Sequence, residues 1–374
     1  TGCRVLLLTA EKLRGAAWPQ ESIDDTFYLP QEISLPDIVK AVTHLARSQK
    51  IDRIVALDEY DMETAATLRE HLRVPGMGLT TMRYFRDKLA MRMKALEHSI
   101  RVPDFVPLLH HNDIRYYLDR VPGPWVLKPR QEASAIGIKK IPASEELWPI
   151  LEELGEKQSS FLLERFVPGE VYHVDSIVSE NQVVFANVSK YGKPPMNVAQ
   201  GGGVFTTFTV PRGTEEDLAL RQINRELIAA LGLLRGVAHA EFIRAHGDEQ
   251  FYFLECAARV GGAYINEMVE AATGINLWRE WARIEVAGGD GSYKLRPTRE
   301  DYAGVILSLA RQESPDTSGY NHPEIFLRIK RHHHAGLILR SSNQQRVQSL
   351  LEDYAQRFAA EFLAVEPPRD KPTA

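Results

Sequence analysis

AHAEFIRAHGDEQFYFLECAARVGG, residues 238–262, reads as two short apolar strands, 237–243 and 251–257, joined by the polar turn AHGDE and followed by paired glycines. Glu241 and Glu255 stand 14 residues apart within those strands. A carboxylate in an apolar strand is costly to bury unless it is paired or bound to a metal. Adjacent antiparallel strands would bring the two together, and their mutual repulsion calls for a cation. Two carboxylates plus phosphate oxygens suit Mg²⁺. Arg259, four residues further on, is placed to grip a phosphate or carboxylate with two N–H groups. Gly261 and Gly262 allow backbone to approach a ligand and open the next helix, whose N-terminus favours an anion. A plain Glu255–Arg259 salt bridge is the structural alternative. By period two, Cys256 points away from the metal face as a small core residue, and His239 shares the face of Glu241.

Working upstream, the chain is strand-rich from about residue 125, where WVLKP, GIKKI, FLLERF, VYHVDSIV and QVVFANVS alternate with turns in an antiparallel or mixed pattern. Lys128 ends the first strand and precedes a loop containing Ser134 and Gly137, an arrangement that suits a nucleotide phosphate. In FLLERFVPGEVYHVDSIV (161–178), Glu164 and Glu170 flank a Val-Pro-Gly turn. Its backbone amides could hold an adenine edge and a carboxylate the ribose hydroxyls; a plain hairpin with surface glutamates is the other reading. His173 reads as a strand-surface histidine. KYGKPPMNVAQGGG (190–203) reads either as a lid, with Lys190 and Tyr191 touching substrate, or as a surface loop. Residues 215–234 form an amphipathic helix with Leu218, Ile223, Leu227 and Leu231 inward, and a helix containing Ile265, Met268, Val269 and Ala272 ends at Gly274.

The beginning alternates strand and helix: RVLLLT (4–9), a helix over 37–49, RIVAL (53–57), and a helix with Ala65, Leu68 and Leu72 on one face. That order predicts a parallel sheet whose ligand crevice lies beyond the strand ends, where Asp58 and Glu59 sit, either as site residues or as strand-end solvation. VPGMG (74–78) is a boundary, and Thr80 or Thr81 caps a charged helix over 82–97. The last segment shows AGVILSLA, a polar loop at 311–323, GLILRS and a helix over 344–363. His332, His333 and His334 are adjacent on a predicted strand, so they point to alternate faces and do not converge on an ion.

The chain has 374 residues, 44% hydrophobic and 25% charged, with 45 basic and 50 acidic side chains and a net charge of −5. Those fractions exclude wholesale disorder and fibrous folds, and the mild acidity gives no global attraction for nucleic acid or anionic lipid. No apolar run reaches the ~20 residues of a membrane span, and TGCRVLLLTAEK is too short in apolar residues for a secretory signal; a cytoplasmic location is expected. Two cysteines, Cys3 and Cys256, exclude a disulfide framework.

Taken in order, Lys88 in YFRDKLAMR, Lys128 with its Ser134–Gly137 loop, the ERFVPGE hinge and the Glu241, Glu255, Arg259 hairpin resemble the ATP-grasp superfamily over about residues 1–290. ECAARVGGAYI with HAEFI upstream is most similar to the carboxylate–amine ligases of the amino-acid and dipeptide ligase type. The resemblance implies a multi-domain α/β and α+β chain with the ATP-grasp fold: an N-terminal open parallel-sheet, Rossmann-like domain (1–78), a linking helix region (79–120), a central small ATP-binding subdomain (121–188), a metal-site sheet subdomain (189–295), a C-terminal α/β lobe (296–366) and a tail (367–374). It further implies that Lys88 and Lys128 contact ATP phosphates, that Ser134, Gly137, Glu164 and the main chain around Phe166 and Val167 bind nucleotide, and that Glu170 binds ribose. Glu241 and Glu255 would hold Mg²⁺, or Mn²⁺ in its place, and Arg259, with Gly261 and Gly262, would meet the substrate. The implied activity is ADP-forming ligation of a carboxylate to an amine through an acylphosphate, with small-molecule partners and a homodimer as the default assembly. A biotin-carboxylase-like bicarbonate enzyme and a non-catalytic ATP-binding regulator are the alternatives. One departure stands out: many members carry Asn two residues after the last metal Glu, and this chain has Ala257, which cannot ligate. The number of metal ions therefore stays open.

Overall fold

The computed structural model describes residues 2–133, 136–289 and 291–365. The first segment forms β1 (Leu6–Ala10) and β2 (Asp25–Leu29), paired in parallel, then α1 (Leu35–Ala46) and α2 (Met62–Leu72). Ser34 caps α1 by accepting the Asp37 N–H. The partner of β1 is thus β2 and not the expected strand at 53–57, which forms no strand. The cause lies in Arg69 of α2, whose Nε donates to the Ile54 carbonyl at 2.8 Å and whose Nη1 donates to the Met77 carbonyl at 3.1 Å. A side chain has taken the acceptor that a sheet ladder would use.

Next come α3 (Leu79–Arg83) and α4 (Lys88–Glu97), where the sequence predicts one helix over 82–97. Asp87 breaks it: its carboxylate accepts the N–H groups of Leu89 and Ala90 and starts a new helix with Lys88 in the first turn. A small four-stranded sheet follows in the order β3 (Phe105–Pro107), β6 (Phe161–Arg165), β4 (Trp125–Pro129), β5 (Lys139–Ile141), with α5 (His111–Arg120) and α6 (Leu147–Leu154) supplying a core of Leu108, Ile114, Leu127, Leu147 and Leu163.

The large sheet has eight strands in the order β11 (Phe251–Ala257), β10 (Gly236–Ala245), β7 (Gly169–Ser179), β8 (Gln182–Tyr191), β9 (Phe205–Thr209), β12 (Tyr302–Leu309), β14 (His334–Ser341), β13 (Ile325–Arg331). The expected C-terminal lobe shares this sheet, because β12 pairs with β9 through Gly304↔Phe208 to Leu307↔Phe205. β13, unanticipated in the polar surroundings of 311–331, pairs with β14, and His332 and His333 form the turn between them instead of lying on a strand.

α8 (Glu215–Leu231) covers one face with Leu220, Leu227 and Leu231 buried; Leu218, expected inward, is exposed, and the buried Asn224 donates to Ser176 Oγ at 2.7 Å. α9 (Ile265–Thr273) and α10 (Leu277–Ala287) pack on Ile177, Val237, Val305 and Ile338, and α11 (Gln344–Glu361) on Leu337 and Leu339. The segment 190–203 holds a short helix, α7 (Pro195–Gly201), so it is more ordered than a simple loop. Among the described residues no helix is long and apolar enough to cross a membrane.

Candidate active site

The β10–β11 hairpin sets Glu241 directly opposite Glu255. The ladder then shifts, with Phe242 opposite Phe253, so Leu254 is an extra residue whose carbonyl leaves the ladder. Arg92 of α4, fully buried, donates Nη1 to that carbonyl, and its Nε and Nη2 donate to Glu164 Oε2 at 3.2 and 2.9 Å. Arg92 therefore clamps α4, the small sheet and the β10–β11 hairpin together.

Glu164 is 2% exposed and receives Arg92 on one oxygen and Lys128 Nζ on the other. Burial raises its pKa, but the two cations outweigh burial and hold it below the usual carboxylate range. Expected as a nucleotide ligand, Glu164 has both oxygens engaged by cations and orients Lys128. Two cations facing one carboxylate leave an excess positive charge at this end of the cleft.

Lys88, buried in the first turn of α4, donates Nζ to the Glu132 carbonyl and pairs with Glu255 Oε2 at 3.1 Å. Burial would raise the Glu255 pKa, yet Lys88 and Lys128 bring it well below the ordinary value. Across the hairpin, Glu241 Oε1 accepts the Tyr191 hydroxyl at 2.7 Å and lies 3.5 Å from His239 Nε2. Burial lowers the His239 pKa, but Asp175 and Glu241 raise it to about 10. His173, expected on the surface, is fully buried and bonds Asp175 at 2.7 Å, as Asp175 in turn bonds His239 at 2.9 Å.

Arg259 pairs with Glu59 and not with Glu255. Its Nε donates to Glu59 Oε1 at 2.8 Å, Nη2 donates to the same oxygen, and Arg86 Nη1 donates to Glu59 Oε2 at 3.0 Å. Glu59 is 8% exposed and held by two arginines, so it is not a solvated strand end, whereas Asp58 accepts the Tyr60 N–H in a local turn. A pocket between these elements is lined by Glu59, Arg86, Lys88, His239, Glu255 and Arg259. Two hard carboxylates at one register position, beside a lysine and an open pocket, fit a divalent ion carrying phosphate oxygens.

The hinge lies at the other end of the cleft. Phe166 donates its N–H to the Pro124 carbonyl at 2.9 Å, and Lys140 Nζ sits 4.1 Å from its ring centroid; Val167 is buried beside it. Glu170 accepts Lys190 Nζ at 2.6 Å, and although burial raises its pKa, Lys190 holds it below the ordinary value. Gly137 has φ +68°, and a Cβ there would come 2.9 Å from Pro129 Cγ. Ser134 and the tail 367–374 lie outside the described residues. A Cβ at Gly261 would stand 2.9 Å from His239 Nδ1 and 3.1 Å from Asp175 Oδ1, so this glycine keeps its place by close packing against that pair; Gly262 is exposed. Cys256 is a buried core residue whose thiol pKa is pushed up by burial. Sequence reasoning passed over Arg92, Arg86 and Asp175; charge within an element is a signal for Arg92 in α4 and Asp175 in β7, whereas Arg86, in the turn between α3 and α4, carries none.

A family model described as an ATP-grasp domain matches residues 121–267. The L-arginine-specific L-amino acid ligase of Bacillus subtilis is 25% identical over 270 residues, covering 70% of this chain; the aligned stretch spans 64% of that relative's length. A D-alanine–D-alanine ligase of Bordetella avium is 27% identical over 237 residues, covering 61% of this chain and 73% of its own. The crystal structure of an L-amino acid ligase from Bacillus licheniformis superposes with a TM-score of 0.73 at 18% identity, covering 97% of this chain and 98% of that one, a likeness of fold. Its sheet order, its cleft between a small and a large sheet and the matched domain at residues 121–267 give the chain the ATP-grasp fold.

Proposed function

We propose that the chain is an ADP-forming, ATP-dependent carboxylate–amine ligase acting on an amino acid or small carboxylic acid through an acylphosphate. The observation that carries this reading is Glu241 opposite Glu255, beside Lys88, in an ATP-grasp cleft. The similarity to amino-acid ligases, the Bacillus subtilis enzyme among them, supports an amino-acid substrate.

A carboxylate does not acylate an amine because oxide is a hopeless leaving group; transfer of the γ-phosphoryl of ATP converts that oxygen into phosphate. Lys88 and Lys128 bind the phosphates and spread the charge that develops during transfer. The main chain at Phe166 and Val167 takes the adenine edge, Glu170 the ribose hydroxyls, and the Ser134–Gly137 loop the phosphate oxygens. Glu241 and Glu255 would hold Mg²⁺, or Mn²⁺, which would supply charge neutralisation at the phosphate oxygens. Arg259, held by Glu59, orients the substrate carboxylate and then the oxyanion formed by amine attack. The segment 190–203 excludes water from the hydrolysable intermediate. Small molecules are the partners, the site is cytoplasmic, and the assembly is a homodimer.

The test is ADP and phosphate release with Mg·ATP across a panel of amino acids and small carboxylic acids, with and without bicarbonate. Amine-dependent ADP release with an amide product is expected. Bicarbonate dependence would replace this reading with a carboxylase-like one. ATP binding without turnover on any panel would favour a regulator, which Ala257 in place of Asn also favours.

A further inference from the structure

Glu241 is held from two directions. Its Oε1 accepts the Tyr191 hydroxyl at 2.7 Å and faces His239 Nε2 at 3.5 Å, while among the described residues Oε2 has no partner. The His239 ring cannot swing away, because its Nδ1 bonds Asp175 Oδ1 at 2.9 Å. Asp175 Oδ2 bonds His173 Nδ1 at 2.7 Å, His173 Nε2 bonds Thr207 Oγ1 at 2.7 Å, and the Thr207 hydroxyl donates to the Lys190 carbonyl at 3.0 Å. Lys190 adjoins Tyr191, so the chain of bonds closes on itself across β10, β7, β9 and β8, with His173, Asp175 and Thr207 fully buried. Contacts of 2.7 and 2.9 Å between these donor atoms are hydrogen bonds; ligands around an ion would be pushed further apart.

Glu255 is half committed in the same way, with Oε2 on Lys88 Nζ at 3.1 Å and Oε1 without a partner among the described residues. Ala257, two residues on along β11, presents a methyl group. The protein thus offers one oxygen from each glutamate. A second ion would need the other oxygen of Glu255, already on Lys88, and a further ligand that Ala257 does not supply.

We infer that Tyr191 and His239 are positioning residues that restrict Glu241 to one metal-facing oxygen, and that the cleft holds a single divalent ion with its nucleotide; this rests on the ATP-binding part of the proposed function. The ion's remaining positions fall to phosphate oxygens and water.

The experiment counts Mn²⁺ bound per full-length chain by electron paramagnetic resonance at saturating ADP, alongside ADP binding by calorimetry without metal. Wild type is expected to bind one Mn²⁺, and A257N, which restores an amide ligand, a second. Y191F and H239A are expected to weaken Mn²⁺ about tenfold or more while metal-free ADP affinity stays unchanged, and H239Q, which keeps an N–H donor, to recover most of the loss. Two Mn²⁺ per wild-type chain, or unaltered Mn²⁺ affinity in both Y191F and H239A, would overturn the inference and leave the ligase reading standing. Failure of the wild type to bind ADP at all would overturn both.

Discussion

Two glutamates at the site bear opposite burdens. Glu255 pairs with Lys88 and keeps one oxygen free, so E255Q preserves the shape of the pocket but removes the charge that holds a cation. We expect it to reduce turnover by about 100-fold or more, with an unchanged circular-dichroism spectrum; near-normal turnover would remove Glu255 from the metal site. Glu164 has no free oxygen, and its role is to neutralise Arg92 and Lys128. E164Q leaves two buried cations facing a neutral amide and is expected to cost about 3–5 kcal/mol in denaturant titrations at pH 7. Because the folded pKa of Glu164 lies below its ordinary 4.5, its contribution is complete above that value and drains away as pH falls through the folded pKa. Wild type and E164Q should therefore converge in stability under acid, and a gap that persists unchanged would sink this account.

At the scale of elements, the break between α3 and α4 delivers Lys88, the lysine proposed to meet the ATP phosphates, to Glu255. Asp87 does two jobs: its carboxylate caps α4, and it receives Arg130 Nε at 2.9 Å from the loop after β4. D87A is expected to lose about 1–2 kcal/mol from the missing cap and to raise KM for ATP, since Lys88 is the first residue of the helix Asp87 starts. The purely structural alternative predicts lower stability with KM for ATP untouched, so steady-state kinetics on the folded variant separates the two. The β10–β11 hairpin shows why some of the site was legible beforehand. A separation of 14 residues across a short turn puts the two glutamates near each other on neighbouring strands. The register at the turn, with Arg244 opposite Phe251, would set Glu241 against Leu254, and the bulge at Leu254 is what brings Glu255 opposite. The helix over 82–97 was misread because a side-chain cap competes with an apolar period that runs straight through it, and Leu218 because a charged face blurs the period of α8 at its first turn.

Over the whole molecule, Glu59 and Arg259 meet across 200 residues of sequence, joining the N-terminal segment to the large sheet. Breaking this pair leaves Arg86 and Arg259 without the carboxylate that both contact. E59Q is expected to cost about 3 kcal/mol, and hydrogen exchange should quicken in α2, just after Glu59, before it does in β7. Equal protection of α2 in wild type and variant would show that the ion pair is not what docks the N-terminal segment.

Local and periodic features were determined by the sequence itself: the strands β4, β6, β7, β8, β10 and β11, the helices α8, α9 and α11, the nearness of Glu241 to Glu255 on one hairpin, and the order of lysines, hinge and hairpin that resembles the superfamily. These depend on side-chain period and on turns a few residues long. Only the tertiary structure decided that Arg259 answers to Glu59, that Glu164 is spent on Arg92 and Lys128, that His173 lies buried in a bonded chain, and that the C-terminal strands extend the main sheet. Each of these depends on which buried charge or sheet edge finds a partner far along the chain. A buried charge needs a neighbour of opposite sign, but the sequence holds 95 charged side chains and packing alone selects among them.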